Sequence, residues 1–296
     1  MSGRGLAWAL LILSASGAAA PAAEGPRLPV RAMFLAERLG GRIVAEAQIE
    51  RHAAPPAPEA FPAAPPHPRC RAATSGGLLR LSLVMRLELP GRSAIRIENH
   101  LWMEPEHAAP CFLLRTRRGL KDYEQAFRFS PRGAVRRQRE PATAREAELP
   151  PARWTRTGEH RYPFPEECAS VLETSGLFYR MLAGGGAEMA GEEALCVFHK
   201  RQVHRVRLKE EDLEEIAFDY LEQAGDARER RSGKTAARGL RVSSRPVGTY
   251  RGEAEEFLKD GTRLVLRRDG RVPLSAGFEV PLVGWVDLQL VELEWE

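Results

Sequence analysis

Leu79, Leu81, Leu83, Met85, Leu87 and Leu89 alternate with Arg80, Ser82, Arg86 and Glu88, and only Val84 breaks the polar side. A period of two puts successive side chains on opposite faces of a strand, so this segment has one buried face and one largely wet face. Such a strand needs neighbours on both edges and a partner layer over its apolar side. The chain supplies them nearby. Pro90-Gly91 turns it, and 94–103 repeats the pattern with Ile95, Ile97, Leu101 and Met103 on one face and Arg96, Glu98 and His100 on the other. Residues 112–116, 123–129 and 134–139 continue the series, punctuated by Arg118-Gly119 and Pro131-Arg132-Gly133. Closely spaced strands with turn signals mean a meander, not βαβ units.

Upstream, 30–38 and 42–50 flank Gly40-Gly41, a hairpin signal. Residues 53–68 hold seven prolines, which cannot donate to a ladder and predict an extended surface loop. Residues 141–151 are Ala/Glu-rich and also predict a loop. The period then changes. After Pro165, the acids Glu166 and Glu167 suit a helix first turn, and Cys168, Val171, Leu172, Ser175, Phe178, Met181 and Leu182 fall three and four apart. This predicts one amphipathic helix over 166–183, ended by Gly184-Gly185-Gly186.

Strands resume at 194–199, 203–210, 214–222, 236–243, 253–258 and 263–268, then a turn at Asp269-Gly270, a short run at 278–280 and a last strand at 283–295. There Val286, Leu288 and Leu290 alternate with Asp287 and Gln289, after which the apolar phase flips to Val291, Leu293 and Trp295. A phase flip predicts a bulge or a strand covered on both faces. The fold class expected is mainly β: a large curved antiparallel sheet or open barrel, with one amphipathic helix packed against it.

The N-terminus sets the compartment. Arg4 precedes the apolar run Leu6 to Leu13, followed by small residues up to Ala20-Pro21-Ala22. A run of eight is too short for a spanning helix, which needs ~20 residues, and the pattern matches a secretory signal peptide cleaved after Ala22 or Ala23. Residues 1–23 are therefore assigned to the signal and 24–296 to a single mostly-β domain, periplasmic and without a transmembrane segment once the signal is removed. Cys70, Cys111, Cys168 and Cys196 all lie in the mature part, and an even number in an exported chain favours disulfides. Three pairings exist; the sequential one, Cys70–Cys111 and Cys168–Cys196, keeps each pair within one half of the chain. Four buried free thiols are the competing reading. There is no C-x-x-C.

Hydrophobic residues at 43% and a formal charge of +4 exclude a disordered chain. Of the 44 basic residues 39 are Arg, interleaved with acids. The clusters Arg136-Arg137-Gln138-Arg139 and Arg228-Glu229-Arg230-Arg231 read as solvated strand ends and loops; the competing reading is contact with an anionic surface such as lipid headgroups. No aromatics interleave with them as nucleic-acid stacking requires, and export makes nucleic acid a poor partner.

The order of these features resembles the bacterial exported family named domain of unknown function 3108. The resemblance rests on the N-terminal hairpin, Asn99-His100-Leu101-Trp102 before a long meander, the helical segment with Ser175, Tyr179 and Arg180, and the run from Leu264 to Leu274 before a final amphipathic strand. It covers essentially the whole mature chain, while the proline-rich loop and the four cysteines depart from it. It implies a highly curved antiparallel sheet, related in shape to periplasmic lipoprotein carriers, and no established activity.

No convergent catalytic set stands out. Gly233-Lys234-Thr235 resembles the end of a phosphate-binding loop, but Arg228 stands where the first Gly belongs. Cys168 at a helix N-terminus with His199 or His204 as base is the one nucleophile reading, a Cys/His hydrolase. His199 and His204 would lie on opposite faces of one straight strand. His100 and His107 with Glu104 and Glu106 make a weak metal-ligand pattern, and no metal or cofactor is expected. Trp102, Trp154, Phe164, Phe178, Tyr179, Trp285 and Trp295 could line a pocket in the concave face; Trp102, Phe178, Tyr179 and Trp285 are the candidate ligand-binding residues. The function expected is that of a non-enzymatic envelope protein binding a lipid-like or other hydrophobic envelope component. The alternative is a periplasmic scaffold with a filled core that binds a partner envelope protein.

Overall fold

The structure is a computed structural model. It describes residues 29–295 apart from 39, 55, 57, 66, 73–76, 92, 120, 184–193, 249–261, 269–271 and 281–283. The signal segment, the three glycines at 184–186, the strand expected at 253–258 and the turn at Asp269-Gly270 lie outside these residues.

Among the described residues fifteen strands form one sheet. The N-terminal meander is β1 (Pro29–Arg38), β2 (Gly41–Ala53), β3 (Leu78–Glu88), β4 (Ile95–Glu104), β5 (Ala109–Arg118), β6 (Tyr123–Ser130), β7 (Gly133–Glu140) and β8 (Arg156–Pro163). The C-terminal part is β9 (Val171–Glu173), β10 (Leu195–His199), β11 (Gln202–Ala224), β12 (Ala227–Pro246), β13 (Arg263–Arg267), β14 (Pro273–Val280) and β15 (Gly284–Trp295). β1 pairs with β15 and joins the two meanders; β8 and β9 end the ladder. The meander expected from the turn spacing is what forms: every pairing is antiparallel except β9 with β10 and the tip of β11 with β15.

The apolar flip in the last strand is a bulge. Met33 pairs with Glu292 and Phe34 with Leu290, so Val291 is the extra residue. The segments 203–210 and 214–222 are one strand, β11, carried through a register shift between Leu213 and Ile216 where Glu215 has φ +53°. The β11–β12 hairpin outruns β13, and its tip continues onto the end of β15, pairing Leu221–Ala224 with Glu292–Trp295. Strands β11 to β15 thus form a closed ring, whereas the sheet as a whole does not close.

The two ends of the sheet curl toward each other. Phe198 on β10 meets Phe127 and Phe129 on β6 and Tyr162 on β8, with ring centroids 5.7–5.9 Å apart. Within this curl runs α3 (Thr174–Ala183), with Leu177 and Met181 fully buried. Gly176 packs against Ala108, Leu101 and Met103, where an added Cβ would make ordinary contacts of 3.4–3.8 Å. The helix is shorter than the 166–183 expected. Val171–Glu173 instead pairs in parallel with β10, and Cys168 is bonded to Cys196. Cys168, Val171 and Leu172 are buried by the sheet, and their spacing merely coincides with a helical stripe.

The sequential disulfides form, Cys70–Cys111 and Cys168–Cys196. The first anchors α1 (Pro68–Ala72) to β5. The segment 141–151, expected to be a loop, instead holds the short α2 (Ala144–Ala147), capped by the Thr143 side chain accepting from the Glu146 backbone N–H. The proline-rich segment is more than a surface loop: Phe61 is buried, and with Cys70, Leu78, Trp102, Cys111 and Phe112 it makes a separate small core. This core covers the outer face at Leu78, so that face of β3 is not wet throughout. Two other clusters lie inside, one around α3 and one spanning the inward faces of β1–β4 and β11–β15. No helix among the described residues is long and apolar enough to cross a membrane.

Candidate ligand-binding interior

The inward faces of β1, β2, β3, β14 and β15 do not fill the space beneath α3. A cavity of about 170 Å³ remains, walled by Phe34, Ile49, Leu83, Met85 and Leu288, with Phe178, Tyr179 and Leu182 from the helix. An empty apolar cavity of ~150 Å³ is large enough to take up a small hydrocarbon. The wall is not wholly apolar: Glu46, Asn99 and Arg263 border it, and the Thr262 hydroxyl is buried and has no hydrogen-bond partner among the described residues. Leu83, Met85, Ile97, Asn99 and Phe178 also border a second space of about 110 Å³, so the two adjoin.

The second space is polar on its far side. Inward-phase positions that carry Leu101 and Leu113 lower in the sheet carry Asn99 and Arg115 here, with Asn99 and Arg115 directly paired between β4 and β5. Arg115 donates from Nε to Asn99 Oδ1 at 2.7 Å, and its Nη2 lies 3.6 Å from Glu173 Oε1. Glu173 is 1% exposed and caps α3, accepting from the Ser175 backbone N–H at 2.7 Å. Burial pushes its carboxyl above the usual range, opposed by Arg115 and the cap. Thr174 Oγ1 lies 2.9 Å from His199 Nδ1. Burial, aided by the positive charges of Arg115 and Lys200, holds His199 well below an ordinary imidazole, so it is neutral. Arg117 lines the same space with its Nε buried and without a hydrogen bond among the described residues.

The candidate aromatics divide. Phe178 and Tyr179 line the apolar cavity. Trp102 does not: it lies on the outer face of β4, between Leu101 and Met103, which face inward, and packs edge-on against Phe61. Trp285 also faces out, next to inward Val286, and is 36% exposed, with Nε1 donating to Asp287. Trp154 is buried under Arg118, Phe164 borders the open seam near β8, and Trp295 donates to Glu222 at the β11 tip.

The nucleophile reading fails because Cys168 is in a disulfide and none of the described cysteines is free. His199 and His204 are not on one strand. A turn at Lys200-Arg201 lies between them, Val197 pairs with His204 and His199 with Gln202, so both histidines share one face of the hairpin. Glu104, Glu106 and His107 do come together at the β4–β5 turn, where the Glu104 carboxylate accepts the backbone N–H groups of Glu106 and His107. Those hydrogen bonds account for the cluster as turn geometry.

The residues not foreseen are Arg115, Glu173 and Thr174; Arg136, read as part of a solvated cluster, is instead 4% exposed. Their signal was available: Arg115 continues the inward phase of Leu113, and Arg136 that of Ala134.

No family model matches the chain, and no curated protein matches it. Among solved structures it is similar to a β-barrel-like protein of domain of unknown function 1849 from Brucella abortus, at 9% identity and a TM-score of 0.46, over 92% of this chain and all of that one.

Proposed function

We propose that this chain is an exported, non-enzymatic envelope protein that holds the apolar part of a lipid-like molecule inside its curved sheet. The observation that carries the reading is the apolar cavity beneath α3 and its continuity with a polar chamber. An amphiphile needs those two environments side by side. The signal-peptide pattern and the two disulfides support export. The resemblance to the domain of unknown function 3108 family stands within this proposal on motif order alone. The filled-core scaffold requires an interior without such a space, so the cavity weighs against it.

The test is native mass spectrometry of protein purified from the periplasm without detergent, followed by solvent extraction. A discrete added mass that extracts as lipid is the expected result. A clean apo mass, with no uptake of a fluorescent fatty-acid analogue or of envelope lipid on incubation, overturns the reading.

A further inference from the structure

A different space opens at the seam where the sheet fails to close. Between β7–β8 and the segment from Arg201 to Val203 lies an open groove of about 860 Å³. At its base is Arg136, on β7, paired with Phe127 on one side and His160 on the other. Arg136 is 4% exposed. Its Nε is buried without a hydrogen bond, and its guanidinium has no ion pair among the described residues. Its neighbour is an aromatic face, with the guanidinium carbon 5.5 Å from the centre of the Tyr162 ring.

A buried arginine keeps its charge, and a buried charge without a counter-charge is costly. The interior carboxylate that could have served, Glu173, is already placed against Arg115. The groove adds more positive charge, since Arg161 and Arg201 line it with Glu167 as the one carboxylate among its described lining residues, and Glu140, which acts on Arg136 from outside that lining, is itself 3.8 Å from the Arg156 guanidinium. Three guanidiniums against one carboxylate leave an excess of two positive charges. A phosphate monoester carries about −1.5 to −2 near neutral pH, and its oxygens match the planar donor fork of arginine. Phe164, Val203 and Val247 supply an apolar wall for the organic group that bears it.

We infer that the seam groove is a binding site for an organic phosphate monoester, with Arg136 as the buried anchor and Arg161 and Arg201 as the outer clamp. The inference does not depend on the apolar cavity and concerns a separate set of residues.

Titration calorimetry of the mature, disulfide-bonded protein with phenyl phosphate at fixed ionic strength tests it. Saturable one-to-one binding is expected, weakened at least about tenfold by Arg136→Gln. The thermal midpoint of Arg136→Gln without ligand should be no lower than that of the parent, because the substitution removes an unpaired buried charge; phenyl phosphate should raise the midpoint of the parent alone. If Arg136→Gln does not fold, the exposed pair Arg161→Gln/Arg201→Gln replaces it, with a loss of at least about fivefold expected. No saturation in the parent, or unchanged affinity in the folded variant, overturns the inference. A parallel titration with a single-chain acylglycerol phosphate below its micelle concentration identifies the source. Binding more than tenfold tighter than phenyl phosphate assigns the groove to a lipid headgroup, and similar affinities assign it to a soluble phosphate ester.

Discussion

The Arg115 guanidinium and the Glu173 carboxylate meet inside the curved sheet, Nη2 to Oε1 3.6 Å, and tie β5 to the N-terminus of α3. Both groups are buried, so the pair is weak evidence of net stabilisation, yet removal of one partner strands the other charge. Glu173→Ala also deletes the cap on Ser175. The single variant should lose about 3–5 kcal/mol in chemical denaturation. Adding Arg115→Leu should recover most of that loss. A double variant no more stable than the single one would show that the cap, not the charge pair, governs this junction.

The Cys70–Cys111 bond closes 41 residues and holds the proline-rich segment over Trp102 and Phe112. Replacing both cysteines with Ser should cost about 2–4 kcal/mol. The damage should be local, because Phe61 and Trp102 belong to a core outside the main one. Hydrogen exchange should rise in 58–72 and at the covered face of β3 and β4, while α3 stays protected. Uniform loss of protection across the sheet would contradict this separation of cores.

How much of this was legible in the sequence depends on what each residue's period could carry. The alternation from Leu79 to Leu87 placed β3 and its neighbours, and the flip after Leu290 announced the bulge opposite Met33 and Phe34. The same rule already assigned Trp102 to the outer face, since Leu101 and Met103 were placed inside; grouping residues by aromatic character overrode their phase. Val171 and Leu172 misled for a different reason. Burial by a parallel strand and burial by a helix stripe leave the same mark over five residues, and the β9–β10 pairing that decides between them is a long-range contact. Arg115 and Arg136 were hidden because charge was counted by local clustering rather than by inward phase.

Ala276 on β14 lines the apolar cavity beside Phe278 and Leu288. Ala276→Leu extends into open space rather than into packed atoms, so the usual overpacking cost of about 1–3 kcal/mol should be largely absent. The variant should keep its thermal midpoint and lose uptake of a fluorescent fatty-acid analogue by about tenfold or more, a loss of at least ~1.4 kcal/mol. Undiminished uptake in a folded Ala276→Leu would move the ligand elsewhere on the molecule.

His199 gives the protein an acid-side weakness whose sign follows from its burial. Its folded pKa lies well below the ordinary 6.5, so the unfolded chain binds the proton more readily than the folded one. The stability tied to a neutral His199 is fully present above pH 6.5 and is lost as pH falls from there toward the depressed folded value. The slope reaches at most about 1.4 kcal/mol per pH unit. His67 is lowered as well, chiefly by burial, and acts in the same direction. Glu173 acts oppositely, since its raised pKa favours the folded state at low pH and withdraws that support as pH rises through its folded value. Comparing His199→Asn with the parent isolates the imidazole from both. Denaturation midpoints measured from pH 7.5 down to 5 should fall less steeply in His199→Asn, which retains a polar group for Thr174. Parallel curves in the two proteins would mean that His199 is protonated in the fold and that the interior around Thr174 admits water.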